Sequence, residues 1–137
     1  MTDDFANLFS PKQLSKTGFA FRDLVDQDRW ETSWTPVFGS LTVVGATTYV
    51  GRWRLVGKSC QFQVKFSAAT SIASTAGTDY LTLPITANGL SGLAVMTNDT
   101  TNIAVGLCHI DVTTNRCYLP TQAASGNVFH LAGYYEV

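Results

Sequence analysis

From Cys60 to Phe66 the chain alternates without a break, with Cys60, Phe62, Val64 and Phe66 on one side and Gln61, Gln63 and Lys65 on the other. Successive side chains leave opposite faces of a pleated backbone, so a period of two over seven residues predicts a half-buried β-strand and excludes an amphipathic helix there. The same kind of pattern recurs downstream. Strands are predicted over Thr35–Phe38, Thr48–Val56, Ser59–Phe66, Tyr80–Leu83, Leu93–Thr97, Ile103–Ile110, Arg116–Leu119 and Val128–Glu136. The linkers Ser67–Thr78, Thr86–Gly92, Asn98–Asn102 and Thr121–Asn127 are rich in Thr, Ser, Ala, Asn and Gly, the residues of turns and loops. No helical pattern separates the strands, so the expected class is all-β, an antiparallel β-sandwich or jelly roll.

Two strands are apolar on both sides. In Ile103–Ile110, Ile103, Val105 and Leu107 alternate with Ala104, Gly106 and Cys108; in the last strand Val128, His130, Ala132 and Tyr134 alternate with Phe129, Leu131, Gly133 and Tyr135. Such a strand is either central in a sandwich or packed on a neighbouring subunit.

Charge divides the chain. Residues 1–31 hold six of the ten acids and four of the nine bases, a net of -2; the rest hold four acids and five bases, a net of +1. That shift sets a boundary between an arm, residues 1–32, and a β domain, residues 33–137. The arm is expected to be partly helical. Ser10-Pro11 is a good helix start, and Phe21, Leu24 and Val25 are spaced for a short helix over Ala20–Asp28. Neither stretch reaches the roughly 12–15 residues that an isolated helix needs. The arm must therefore dock on its own β domain, on sister chains or on a larger particle, with Phe5, Leu8, Phe9, Phe19, Phe21, Leu24 and Trp30 as the apolar anchors.

Only 14% of residues are charged, against about 25% in typical soluble domains. A surface of neutral polar residues repels its own copies weakly, so self-association is expected. Nucleic acid is not an expected partner, because phosphate binding needs clustered Lys and Arg. Arg52 and Arg54 share one strand face and are read as a solvated or subunit-contact face. No apolar run approaches the roughly 20 residues that span a bilayer, and the acidic start Met1-Thr2-Asp3-Asp4-Phe5 lacks the order of a secretory signal. Synthesis in a cytoplasm without membrane insertion is expected.

No catalytic constellation can be assembled. His109 and His130 lie in strand patterns and are read as satisfied core or interface residues. No nucleophile elbow, zincin motif or P-loop occurs. Asp79, Asp99 and Asp111 sit at turns or strand starts, where aspartate caps its own backbone. The three cysteines have no CxxC spacing, so no metal or cofactor is expected. Cys108 and Cys117 flank a predicted turn at Asp111–Asn115; a disulfide between them is geometrically conceivable, but cytoplasmic assembly favours free thiols. Binding is better supported than catalysis. Saccharide sites combine an aromatic face with amides and hydroxyls, and Tyr80, Asn98, Asp99, Asn102, Asn115, Tyr118 and Gln122 are the candidates on loops and strand ends.

The block Trp34-Thr35-Pro36 through Tyr49-Val50-Gly51-Arg52 to the alternating strand after Gly57, with Leu83-Pro84 and the closing Leu131–Val137, resembles the β-rich tip domains of bacteriophage tail fibres and tailspikes. That resemblance implies a virion protein, fibre- or spike-like, that attaches to a host-surface polysaccharide or protein receptor as a homotrimer, its arm contacting other virion proteins, and it implies that Trp34 and Trp53 are packing residues at the entrance of the β domain. The alternative is a capsid or tail decoration protein with a purely structural role.

Overall fold

The computed structural model describes residues 29–89 and 92–137. The helices expected in the arm, and the anchors Phe5, Leu8, Phe9, Phe19, Phe21 and Leu24, lie outside the described residues. Among the described residues every regular element is a strand: β1 (Phe38–Gly39), β2 (Thr42–Val44), β3 (Thr47–Val56), β4 (Ser59–Ala68), β5 (Ser71–Ser74), β6 (Tyr80–Thr82), β7 (Gly92–Asn98), β8 (Ile103–Asp111), β9 (Arg116–Tyr118), β10 (Gln122–Ser125) and β11 (Phe129–Glu136). No helix among them is long and apolar enough to cross a membrane.

All pairings are antiparallel. One sheet has eight strands in the order β1-β6-β9-β8-β7-β11-β4-β3, and a second has three in the order β10-β5-β2. The long β3–β4 hairpin turns at Gly57 (φ 61°) and holds register from Thr47↔Ala68 to Val56↔Ser59. Beyond it the same two chain segments bend and pair again as β2 and β5, with Gly45 (φ 88°) at the corner. A β-bulge between β7 and β8 shifts the register after Met96, which adds local twist.

The large sheet is curled until its ends share one core. Phe38 of β1, at one end of the strand order, packs 5.1 Å from the ring of Tyr49 on β3, at the other end, and 4.9 Å from Phe66 on β4. The inner face is the alternating stripe: Cys60, Phe62, Val64 and Phe66 of β4, Phe129, Leu131 and Tyr135 of β11, Ala94 and Met96 of β7, and Cys108 and Ile110 of β8 are all buried. Phe62 meets Tyr135 edge-on, and Phe66 stacks on Phe129 at 5.6 Å. Tyr135 also pins the 84–89 connection, since its hydroxyl donates to Ile85 O at 2.7 Å and accepts from Ile85 N at 3.0 Å. The Cys60, Cys108 and Cys117 thiols are free and buried.

Three segments depart from the sequence expectation. The linkers 67–78 and 121–127, expected as loops, contain β5 and β10, and β2 fills a stretch to which no strand was assigned. Together these three make up the small sheet. Of the expected strand Thr35–Phe38 only Phe38 is paired, because Trp34 and Pro36 instead cover Gly51 of β3. A Cβ built on Gly51 would lie 2.5 Å from Pro36 Cγ and 2.7 Å from Trp34 Cε3, so only glycine lets the entering chain cross the inner face so closely. Trp34 and Trp53 both pack against the core, as expected.

Candidate functional site

On the outer face of the large sheet, register alone lines up aromatic side chains from three strands. Tyr80 of β6 pairs with Tyr118 of β9, and Tyr118 pairs with His109 of β8. Directly opposed residues on one face bring their side chains into contact. The Tyr80 and Tyr118 rings meet edge-on at 5.7 Å, and the His109 ring stacks on Tyr118 at 6.3 Å. At the outer end Tyr80 pairs with Gly39 of β1, whose missing side chain leaves room for the tyrosine ring.

Arg116 completes the patch. Its guanidinium carbon lies 4.0 Å above the Tyr80 ring centroid, a cation–π contact. A hydrogen bond to Tyr118 raises its pKa, with smaller Coulomb contributions that include Asp111, its register partner. Asp111 is held by the turn it opens: Oδ2 accepts from Thr114 Oγ1 at 2.7 Å, and Oδ1 accepts from Thr113 N at 3.0 Å. The Thr114 hydroxyl is the main cause of its lowered pKa.

Beside the row lies a hollow of about 530 Å³ that includes His109, Asp111, Tyr118, Pro120 and Thr121 in its lining. Its rim is fixed by hydrogen bonds. Asp79 is buried and its Oδ2 accepts from Thr75 N at 2.7 Å; Thr121 Oγ1 accepts from Ala76 N at 3.0 Å; and Ser74 Oγ donates to Pro120 O at 2.6 Å. An aromatic face, an imidazole, a carboxylate and a hydroxyl therefore line a fixed, shallow concavity, with the Arg116 guanidinium on the neighbouring Tyr80 ring, an inventory that suits a polyhydroxylated ligand.

The sequence candidates fall in four places. Tyr80 and Tyr118 are brought together. Asn98, Asp99 and Asn102 lie on the β7–β8 turn, at the opposite end of β8 from the turn that carries Asn115. Asn98 is buried, and its Oδ1 accepts from Thr100 N and Thr101 N, so its amide shapes the turn. Asn115 has φ 61° and accepts at Oδ1 from Ala87 N at 2.8 Å; it too is occupied by structure. Asn102 is exposed with φ 59°, a conformation that asparagine tolerates better than most residues. Gln122 opens β10 and donates from Nε2 to Ala123 O.

His109, Arg116 and Thr121 were not singled out as ligand-binding residues. The signal for two of them was present. Once Asp111 and Arg116 close the predicted turn, counting outward sets Ile110 against Cys117 and His109 against Tyr118. His109 is thus exposed on the outer face, not a core residue, because Cys108 and Ile110 take the inner positions. Trp30, expected to face sister chains or a virion component, lies on its own sheet, with the Arg52 and Arg54 guanidinium carbons 4.5 and 4.6 Å from its ring centroid.

Between the aromatic row and those arginines the outer face is apolar. Leu93 and Val95 of β7, Leu107 of β8 and Tyr134 of β11 are all exposed, Leu107 most of all at 69%. Among the described residues no group of three or more His, Cys, Asp or Glu side chains is placed to hold a metal ion. No family model, curated protein or solved structure matches this chain.

Proposed function

We propose that this chain is a bacteriophage-type virion protein, fibre- or spike-like, that adheres to host-surface glycan through the Tyr80–Tyr118–His109 row and the hollow beside it. The observation that supports this reading is the row itself. Three rings on three adjacent strands form one outward surface, edged by a charged guanidinium and by the Thr121 and Tyr118 hydroxyls. Saccharides present C–H faces for stacking and hydroxyls for hydrogen bonds, and this surface offers both. On this reading the curled sheet and the small sheet are the two layers of a jelly-roll-like sandwich. The exposed stripe of Leu93, Val95 and Leu107 is covered in a homotrimer, and tethering three weak sites on one body raises avidity by about 10²–10⁴.

The test is glycan binding by the full chain on a panel of bacterial surface polysaccharides, with light scattering for mass. A trimer that binds at least one polysaccharide and loses about tenfold or more on Tyr118→Ala is expected. Binding to none of the panel, or binding indifferent to Tyr80→Ala and Tyr118→Ala, refutes the site. A second reading is favoured by the apolar stripe: a decoration protein whose outer face packs on a virion surface. A monomer that binds no glycan but associates with assembled particles would favour that reading.

A further inference from the structure

A second hollow on the outer face, about 690 Å³, is lined in part by Val50, Arg52, Gln63, Lys65, Asp99 and His130. It belongs to the most lopsided stretch of the chain: residues 32–78 contain Arg52, Arg54, Lys58 and Lys65 and no acid at all, although the whole protein carries -1. Strand alternation turns Arg52 and Lys65 outward. Lys65 pairs with His130 across β4 and β11, and Arg52 pairs with Gln63 across β3 and β4. Directly opposed side chains on one face lie about 4.5–5.5 Å apart at Cβ, and diagonal ones about 7–8 Å. Three basic side chains therefore share one small area.

The partners of Arg52 orient it without neutralising it. Gln63 Oε1 accepts from both Nε and Nη2 of Arg52, at 2.8 and 2.5 Å, and the Trp30 ring supports the guanidinium. A carboxylate in place of Gln63 would cancel the charge, whereas an amide fixes the side chain and leaves the charge in place. Asp99 is the one acid in the lining. Its Oδ2 sits 3.8 Å from Lys65 Nζ in an exposed pair, and such pairs are weak.

We propose that this hollow binds the acidic substituent of a saccharide, a carboxylate, sulfate or phosphate, as a charged subsite of the adhesion surface. The proposal rests on the glycan-binding reading above and extends it to acidic polymers. A polysaccharide fits better than a nucleic acid, which needs a continuous basic track. Beyond Gln63 the same register row continues through Ala132, Val95 and Leu107, with no further cation.

The test compares binding of the full chain to polygalacturonate, dextran sulfate, a phosphorylated dextran, neutral dextran and a single-stranded DNA oligomer. An acidic polysaccharide is expected to bind about tenfold or more above neutral dextran, less so at high salt, with the preference lost in Arg52→Gln/Lys65→Gln. Which acidic probe leads identifies the substituent. Asp99→Asn removes the competing charge and keeps an acceptor for Thr97 Oγ1, so it is expected to strengthen acidic binding several-fold; this variant decides the matter if the double variant fails to fold. Tyr118→Ala separates the two readings: it lowers affinity for every saccharide and leaves the acidic-to-neutral ratio unchanged. If Tyr118→Ala has no effect while the ratio still depends on Arg52 and Lys65, the aromatic site fails and this subsite stands. No acidic preference, a preference that survives in the double variant, or DNA binding equal to the best polysaccharide overturns the proposal.

Discussion

The two sides of β11 share eight residues and one backbone, yet they are built to different rules. Phe129, Leu131 and Tyr135 point inward and are completely buried, while Tyr134, next to the last of them, is 51% exposed. His130 and Ala132 are half-buried on the outer side. Inward positions are fixed by volume and close packing. Outward positions are fixed by what their cross-strand neighbours place beside them, as Lys65 does for His130. Stability should therefore respond to one face and recognition to the other.

The largest effect should come from Phe129→Ala. It removes a ring that stacks on Phe66 and is expected to cost about 3–5 kcal/mol, read as a lower urea midpoint. A loss under about 1 kcal/mol would mean that the inner face is loosely packed and would break the contrast. Gly133→Val should follow, at about 1–3 kcal/mol. A Cβ on Gly133 would lie 2.5 Å from Ala94 Cβ and 2.6 Å from Leu93 O, both within the rigid sheet. Tyr135→Phe leaves the Ile85 backbone groups without their hydroxyl partner and is expected to cost about 1–2 kcal/mol, with faster amide exchange over residues 84–89 as its signature.

A gentler probe of the inner face is alkaline pH. Burial raises the Cys60 thiol and the Tyr135 hydroxyl, and the neighbouring Cys108 thiol together with burial raises Cys117. All three are kept neutral when folded. Their contribution is fully present below the ordinary values, 9.0 for a thiol and 10.0 for a tyrosine, and is lost as pH rises toward the folded values, because the unfolded chain releases protons first. The urea midpoint should hold up to about pH 9 and fall steadily above it, and a flat profile above that value would contradict this. The smallest effect on stability should be that of Tyr118→Ala, within about 0.5 kcal/mol as expected for a surface change, despite the loss of glycan binding proposed for it. A large destabilisation there would make the aromatic row a structural element and weaken its reading as a site.

The strands of the large sheet could be read from the sequence because their residues carry the pattern. Cys60–Phe66 alternates apolar and polar, and the observed β4 begins at the expected Ser59. The small sheet could not. Ser71-Ile72-Ala73-Ser74 and Gln122-Ala123-Ala124-Ser125 have one large apolar residue between them, and they become strands only because a neighbour supplies the other half of each hydrogen-bond ladder. Tertiary context of this kind overrides weak local preference. The site was half visible for a related reason. Tyr80 and Tyr118 stood out by residue type, whereas His109 and Arg116 acquire their role from register, which is set by the Asp111–Arg116 closure.

One small contact has a consequence for assembly. β3 ends the strand order, and it is ten residues long. Trp53 exchanges two backbone hydrogen bonds with Glu31 in an isolated bridge, while Trp30 lies across the outer side of the strand and Trp34 with Pro36 across the inner side. A long strand edge without cover is a template for adding further strands, from another copy or from any extended peptide. The turn of chain from Trp30 to Pro36 thus works as a guard rail. A chain trimmed to begin at Ser33 would retain the core and the inner cover of Trp34 and Pro36 but lose Trp30 and the Glu31 bridge, and it should associate edge to edge in a way the intact protein does not.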